Sequence, residues 1–579
     1  MITGTGKVKS MYCKDYIAQE LHRCLPELEL AQVAEGIEIP KEKNMGDFAF
    51  PCFRLAKMFH RAPVQIAADV AEKLQGSAIL SRVDAVGPYV NMFVDPAWFA
   101  GHIFGLFEDA RQAGTEYGSS QEGNGKTIVM DYSSINVAKP FHIGHLRTTV
   151  IGNSLARILQ FLGYKTVSIN HLGDWGTQFG KMVVAYRKWG SKEEVEEQGI
   201  RGLLALYVRF HAEAEKAPAL NEEARAAFVA MEKGDEEELK LWRWFVDISL
   251  REVERVYKLL DVKFDSYLGE SFYWDKTDPI VEEMKEKGIL TSSEGAQIVN
   301  LEDDNMPPCL ILKSDGSTLY ATRDIAAAFY RKKTYNFDKC LYITGMEQQL
   351  HFAQWFKVIE KMGYEWSKDL VHIPYGLVSL ESGKLSTRGG NVIFLEDLLK
   401  EAIQKTKAIM MEKNPELEDM DAVAQEVGVG AVVFHDLFNN RIKEVTFNWD
   451  SILNFDGETG PYVQYTFARA SSILRKADWD GDVSKARMED LTDEYAQEIL
   501  RLLEVFPKRV EEAHQKWEPY IITRYTVSLA TAFNRFYHEN MILGAEGSVR
   551  DSRICLTAMM AQVLKKGLYL IGVNAPERM

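Results

Sequence analysis

Cysteine is scarce. Cys13, Cys24, Cys52, Cys309, Cys340 and Cys555 are spread through 579 residues without a single C-x-x-C pair. That scatter argues against a structural zinc module and a disulfide framework, and it fits a reducing cytosol. Long apolar runs are missing too: none reaches membrane-spanning length, and Met1-Ile2-Thr3-Gly4-Thr5-Gly6-Lys7 has no signal-peptide core. The expectation is a cytoplasmic chain without a membrane partner. There is no surplus of positive charge. The formal net charge is −16, so any polyanion would have to be held by local basic patches. Two nucleotide fingerprints are also absent. Gly123-Asn124-Gly125-Lys126-Thr127 resembles the tail of a phosphate-binding loop, but Ser120 stands where the first glycine is required and the segment precedes a strand. The glycines of Gly173-Asp174-Trp175-Gly176-Thr177-Gln178-Phe179-Gly180 do not have G-x-G-x-x-G spacing.

What is present is an ordinary globular balance, 46% hydrophobic and 26% charged, in a chain long enough for roughly three to five domains. Residues 1–115 read as an α+β domain, with helices around Tyr16–Cys24 and Pro63–Leu74 and a turn at Gly87-Pro88 into an alternating strand through Val94. A Gly-, Ser- and Gln-rich linker, Glu116–Gly125, follows. Strand, helix, strand, helix then alternate. Thr127–Tyr132 is β-rich, Leu146, Val150, Ile151, Leu155, Ile158, Leu159 and Leu162 form a helical stripe, and Lys165–His171 is a second strand. This is one half of a doubly wound α/β fold. Residues from about 186 to 262 turn acidic and helical and read as a solvated insertion. The second half resumes at Asp265–Tyr273 and Leu319–Asp324. It continues with the strand Cys340–Gly345, the helix opened by Met346–Phe352, and a strand within Leu370–Leu380. The domain boundaries implied are 1–115, 116–395 and 396–579, the last a helical bundle.

The chemistry falls on two loops. His142 and His145, in His142-Ile143-Gly144-His145, lie where the first strand hands over to a helix. Open α/β sheets bind ligands at that edge, and a helix amino end offers free N–H groups to phosphate. Gly144 leaves room for a flat ring such as adenine against the backbone. A lone H-x-G-H is more often two surface histidines on a turn. Here it is matched by Lys384-Leu385-Ser386, in a basic, glycine-flanked loop after the last strand of the other half. Together they form a two-sided clamp for ATP, as adenylate transfer requires. When a carboxylate attacks the α-phosphorus and pyrophosphate leaves, charge builds on the phosphate oxygens, and catalysis is chiefly placement and electrostatic stabilisation. His142 and His145 supply donors, Lys384 a point charge and Ser386 a further donor. Magnesium is expected on the triphosphate with few protein ligands, and no other cofactor.

These residues resemble the class I aminoacyl-tRNA synthetases, and within them the arginyl-tRNA synthetase family. Asp131–Arg147 is close to that family's S-S-P-N-x-A-K-P-x-H-x-G-H-L-R. The likeness continues at Gly269-Glu270-Ser271, Tyr320–Asp324, Gln348–Phe352, Lys384–Asn391, Phe455–Arg469 and the terminal Ala575-Pro576-Glu577-Arg578-Met579. It implies a Rossmann-type catalytic domain with insertions, an amino-terminal domain touching the tRNA elbow and a helical anticodon-binding domain. Its partners would be tRNA(Arg), L-arginine and ATP, its acting form a monomer. Ser134, Asn136 and His142 would hold the α-amino and carboxylate end of arginine. Glu270, Tyr320 and Asp324 would face the guanidinium, Gln348 would help close the pocket, and His351 would join His142, Gly144, His145 and Lys384 around ATP. Forked carboxylate acceptors suit a planar guanidinium without any family argument, and lysine would use the same charges with poorer geometry.

Two positions depart from the family pattern. Ile135 replaces the usual proline, and Thr387 stands where a typical class I loop has its second lysine. The resemblance implies that Lys139, just ahead of the histidines, supplies the missing phosphate charge. For tRNA, the candidates are Asn91 and, in the helical region, Tyr462, Tyr465, Arg469 and Tyr537, set among Arg475, Lys476, Lys508, Arg509, Trp517 and Arg535. Interleaved basic and aromatic residues suit a polynucleotide, and they equally suit an aromatic bundle core with a wet rim. Asn91 alone reads as the polar side of its strand. A non-catalytic RNA-binding protein on the same fold is the rival of another kind, and it would have no physical reason to keep both halves of a phosphate clamp.

Overall fold

The computed structural model describes residues 11–137, 139, 141–380 and 394–579. The chain forms two compact units. One contains the amino-terminal stretch through Gly118 together with Arg469–Lys508 and Ser528–Leu564. Its three-stranded antiparallel sheet has Tyr89–Val94 in the middle, between Phe48–Pro51 and Leu80–Val86. Helices Cys13–Cys24 and Pro63–Leu74 bury Ile17, Leu21, Ile66, Val70 and Leu74. Pro63 opens its helix at a position where no N–H is needed.

The other unit, Ser119–Ala468 with Arg509–Val527 and Lys565–Met579, is built on a four-stranded parallel sheet. Its elements in chain order are β1 (Thr127–Asp131), α1 (Ile143–Phe161), β2 (Lys165–Ile169), α2 (Glu236–Leu260), α3 (Tyr320–Tyr335), β3 (Lys339–Gly345), α4 (Gln349–Lys361) and β4 (Leu370–Tyr375). The strand order is β4-β3-β1-β2, with Val129 opposite both Val167 and Cys340. Connections leave β1 and β3 toward opposite sides, so the crevice of the doubly wound fold opens between their carboxyl ends. The doubly wound reading is therefore right, and the crevice receives the loops that follow β1 and β3.

Val129, Ile325, Cys340, Trp355, Val358 and Ile359 form part of one buried cluster under the sheet. On α1 the expected apolar stripe is buried, and so are Arg147, Thr148, Thr149, Asn153, Ser154 and Arg157. The helix is enclosed along most of its length, and several of its polar side chains reach backbone carbonyls. Ser154 Oγ donates to the Leu570 carbonyl (2.8 Å), Arg157 Nη1 to that of Tyr569 (3.0 Å) and Arg147 Nη2 to that of Arg441 (3.0 Å). An amphipathic pattern with hydrogen-bonding side chains on its second face thus marks a buried helix here.

Two sequence expectations need correction. The single strand expected within Leu370–Leu380 is two. β4 stops at Tyr375, and Val378–Leu380 pairs with Val445–Phe447 in a separate two-stranded sheet. The break is at Gly376, whose N–H donates to the Arg441 carbonyl (2.8 Å) and where a Cβ would lie 2.3 Å from the Ile442 oxygen. The insertion forms helices Lys192–Gln198, Ile200–Lys216, Ala219–Glu232 and α2, and it is not simply solvated. α2 buries Phe245, Ile248, Val253, Val256, Tyr257 and Leu260. Its start is fixed by Asp235, which accepts from the N–H groups of Glu237 and Glu238.

Candidate active site

Beyond β1 the chain turns through Ser133 (φ +69°) and Ser134 (φ +41°). Left-handed backbone at non-glycine residues costs about 1–3 kcal/mol each and persists only where the surroundings fix it. They do so here. Ser133 N–H donates to Thr148 Oγ1 (3.1 Å), and Ser133 Oγ lies 2.8 Å from Thr149 Oγ1 and 2.6 Å from Tyr257 Oη. Tyr257 also accepts from Asn170 Nδ2 (2.7 Å), so the insertion helix α2 reaches beneath the site. Ser134 Oγ donates to Asp131 Oδ1 (2.6 Å). With its proton directed inward, that oxygen keeps acceptor capacity for a ligand ammonium.

His142 is the N-cap of α1. Its Nδ1 accepts from Gly144 N–H (3.0 Å), and its own N–H donates to His145 Nδ1 (3.2 Å). Both Nδ1 atoms therefore act as acceptors, which leaves the proton of each neutral ring on Nε2. The ring centroids are 4.0 Å apart. Burial, aided by nearby Lys139, pushes His142 down to about 4. Burial, the His142 ring and Lys139 hold His145 well below the ordinary imidazole range. At neutral pH the pair presents two uncharged N–H donors. Gly144 has a role nearer than adenine: a Cβ there would lie 2.8 Å from the His142 ring, so glycine is what allows that ring to cap the helix. The glycine of the rejected phosphate loop has a packing role as well, since a Cβ on Gly123 would be 2.3 Å from Tyr164.

Asp131 is itself held from below. Its Oδ2 lies 2.7 Å from Arg331 Nη2, with side-chain exposures of 9% and 1%. Arg331 Nη2 is also 3.2 Å from His171 Nδ1. Arg331→Met leaves the Asp131 carboxylate buried without its partner. Breaking such a pair costs about 3–5 kcal/mol, so the denaturation midpoint should fall markedly.

The second cluster starts from the segment after β2. Asn136 is bridged to Gly173, with Gly173 N–H donating to the Ile135 carbonyl (2.8 Å) and Val137 N–H to the Gly173 carbonyl (3.1 Å). The neighbouring Asp174 accepts from Ser271 N–H (2.9 Å) and Ser271 Oγ (2.6 Å), which fixes the turn carrying Glu270. A Cβ on Gly269 would sit 2.5 Å from Asp174 Oδ1, so this turn needs glycine. Glu270 Oε2 lies 3.2 Å from Arg323 Nη1, and Asp324 Oδ2 lies 2.6 Å from His351 Nε2. Burial pushes Glu270 up to about 7, with Asp324 and Asp174 adding to the shift and Arg323 opposing it. Tyr320 opens α3 and is 66% exposed. Gln348 lies exposed in the turn that follows β3. His351, expected near ATP, is thus paired with an acid of the expected guanidinium pocket.

Lys384 and Ser386 lie outside the described residues. Phe394, the first described residue after them, is bridged to His142, and Leu395 N–H donates to the Phe141 carbonyl (2.8 Å). The candidates for tRNA are dispersed. Asn91 is buried in the central strand of its sheet, 3.8 Å through its amide from Met45 Sδ. Tyr462, Tyr465 and Arg469 share the helix Gly460–Lys476, with Tyr465 exposed, and the Arg469 guanidinium lies 5.1 Å from the Tyr537 ring centroid. Sequence reasoning missed Asp174, Tyr257, His171, Arg323 and Arg331. All act by holding another residue; Asp174, His171 and Arg323 stood in stretches already singled out, whereas Tyr257 and Arg331 did not.

Three family models match the chain: "Arginyl tRNA synthetase N terminal domain" over residues 11–94, "tRNA synthetases class I (R), catalytic domain" over 109–449, and "DALR anticodon binding domain" over 463–579. Among curated relatives, an arginine–tRNA ligase of Alkaliphilus metalliredigens is 53% identical over 548 residues, 95% of this chain and 96% of that protein. That of Clostridioides difficile is 52% identical over 565 residues, 97% and 99% of the two chains. Among solved structures, Thermus thermophilus arginyl-tRNA synthetase superposes with a TM-score of 0.79 at 24% identity, covering 98% of this chain and all of the other.

Proposed function

The chain belongs to the arginyl-tRNA synthetases of class I, and we propose that it joins L-arginine to tRNA(Arg) with ATP through the site between β1 and β3. Arginyl-adenylate forms first, pyrophosphate leaves, and the arginyl group then passes to the ribose of the terminal adenosine as AMP departs. The observation that carries the proposal is the pair of neutral imidazoles, His142 and His145, fixed as Nε2–H donors at the amino end of α1. Charging of total tRNA tests it. Arginine should be the amino acid esterified, and tRNA with an oxidised terminal ribose should accept none.

The attacking carboxylate is already ionised, so no general base is needed. The two Nε2–H groups serve the phosphate oxygens on which charge develops, and they suit a polyanion because their donor state does not depend on protonation near neutral pH. ATP enters as its magnesium complex. We assign Lys384 and Ser386 to the pyrophosphate side. Lys139 stands close enough to lower both histidines, and we assign it the charge that Thr387 does not provide. On that assignment Lys139→Ala raises KM for ATP and lowers exchange by about tenfold, a magnitude ordinary for one charge-assisted contact. Unchanged ATP kinetics would reverse it. Ser134 and Asn136 take the α-amino and carboxylate end of arginine, with His142 beside them. Glu270, Asp324 and Tyr320 take the guanidinium, and Gln348 closes the pocket.

Residues 1–115 and 396–579 are the proposed tRNA-contacting domains, at elbow and anticodon, with Tyr462, Tyr465, Arg469 and Tyr537 as anticodon-side candidates. Asn91 would have to act through its strand, because its side chain is buried. No helix among the described residues is long and apolar enough to cross a membrane. All six cysteines are free and buried, which fits the reducing cytoplasm where we place the protein. We take the monomer as the acting unit.

A further inference from the structure

Arg323 is the charged residue of the guanidinium pocket that the proposed reaction leaves unused. It lies in the first turn of α3, between Tyr320 and Asp324. Its Nη1 donates to Glu270 Oε2 at 3.2 Å, with both side chains less than a fifth exposed. Its guanidinium carbon is 6.0 Å from the Tyr320 ring centroid. The carboxylate and ring expected to receive a substrate guanidinium are therefore already engaged by a guanidinium of the chain itself.

We propose that Arg323 is a built-in stand-in for the substrate: it occupies Glu270 while the pocket lacks arginine and is displaced from it when arginine enters. The proposal rests on Glu270 being the substrate's guanidinium acceptor. The geometry favours exchange. Arg323 reaches Glu270 through one nitrogen, and its Nε is buried without a hydrogen-bond partner. A free arginine can approach the same carboxylate as a two-pronged fork, the stronger arrangement. A second carboxylate interacts electrostatically with the Arg323 charge. Glu232, at the end of the insertion helix Ala219–Glu232, already feels Arg323.

Occupation by Arg323 also sets a threshold that any entering amino acid must overcome. A competing lysine offers a point charge and no fork, so it gains less from Glu270 while facing the same displacement. The stand-in imposes that displacement on both, so it leaves the gap set by the fork unchanged. It weakens arginine binding as well, because apparent affinity is reduced by the fraction of molecules in which Glu270 is open. If about one molecule in ten is open, the reduction is about tenfold.

The test is steady-state charging of tRNA by the full chain. Arg323→Met should lower KM for arginine about tenfold without a matching change in kcat, and the concentration at which lysine inhibits should fall by the same factor. Glu232→Gln, a surface change, should raise KM for arginine by removing the second position for the displaced charge. A KM that rises or stays level in Arg323→Met overturns the proposal by making Arg323 a support for Glu270. If that variant does not fold, an unchanged KM in Glu232→Gln overturns it. Glu270→Gln separates the two ideas. Normal arginine KM in that variant removes Glu270 from the pocket, whereas a large KM defect beside an unaltered Arg323→Met removes only the stand-in.

Discussion

Replacing His142 with alanine is expected to lower arginine-dependent pyrophosphate exchange by about 10²–10³-fold, the usual loss when one fixed donor to a developing oxyanion is removed. The effect should fall on kcat, because the Nε2–H groups meet charge that grows during the reaction. His145→Ala should do at least as much. It removes a donor, and it also removes the Nδ1 acceptor that receives the His142 backbone N–H at 3.2 Å. A pH profile provides an independent check. His142 is pushed down to about 4 by burial and Lys139, and His145 lies well below its ordinary value. Both rings are then neutral throughout the range from pH 6 to pH 8, and wild-type kcat should show no histidine titration there. A kcat that falls with a midpoint near the ordinary imidazole value of about 6.5 would mean that a protonated or exposed histidine carries the step.

Glu270→Gln has the second large effect. It keeps the side-chain volume and removes the charge, so the guanidinium loses an ionic acceptor whose side chain is only 16% exposed. A charge-assisted contact of this kind, with its partner left poorly paired, is worth roughly 3 kcal/mol, which corresponds to about 10²-fold in KM for arginine. Wild-type protein should show the same dependence through pH. Burial, Asp324 and Asp174 raise Glu270 to about 7, against the opposing charge of Arg323. As pH falls through that value the carboxyl takes up a proton that arginine must expel, so KM for arginine should rise toward lower pH. Glu270→Gln should abolish that rise. Because the folded value lies above the ordinary carboxylate value, the same ionisation opposes folding as pH rises through 7, and Arg323 offsets part of that cost.

The structure separates what a sequence can express locally from what only packing decides. The placement of His142, Gly144 and His145 at a strand-to-helix junction was legible because it depends on neighbouring positions, and Glu270 and Asp324 stood out as candidates because each stands in a short motif. The α/β order was equally plain from alternating periodicity. The break at Gly376 was not, since the clash that demands glycine is with Ile442, far away in sequence. Nor was the reach of α2 beneath Ser133, because an acidic, amphipathic insertion looks solvated until Tyr257 is seen to meet Ser133 and Asn170. The Asp131–Arg331–His171 stack has no motif that joins its three members. Asp131 ends β1, Arg331 lies within α3 and His171 follows β2, and only the sheet brings them together.

The most direct measurement is pyrophosphate exchange by the full chain with each of the twenty amino acids, in the presence of total tRNA. Exchange with arginine, and with no other amino acid at comparable rate, is the result expected of a guanidinium pocket joined to a phosphate clamp at the β1–β3 crevice. Protein that retains tRNA but supports no exchange with arginine would contradict the account and leave an RNA-binding protein on a synthetase fold.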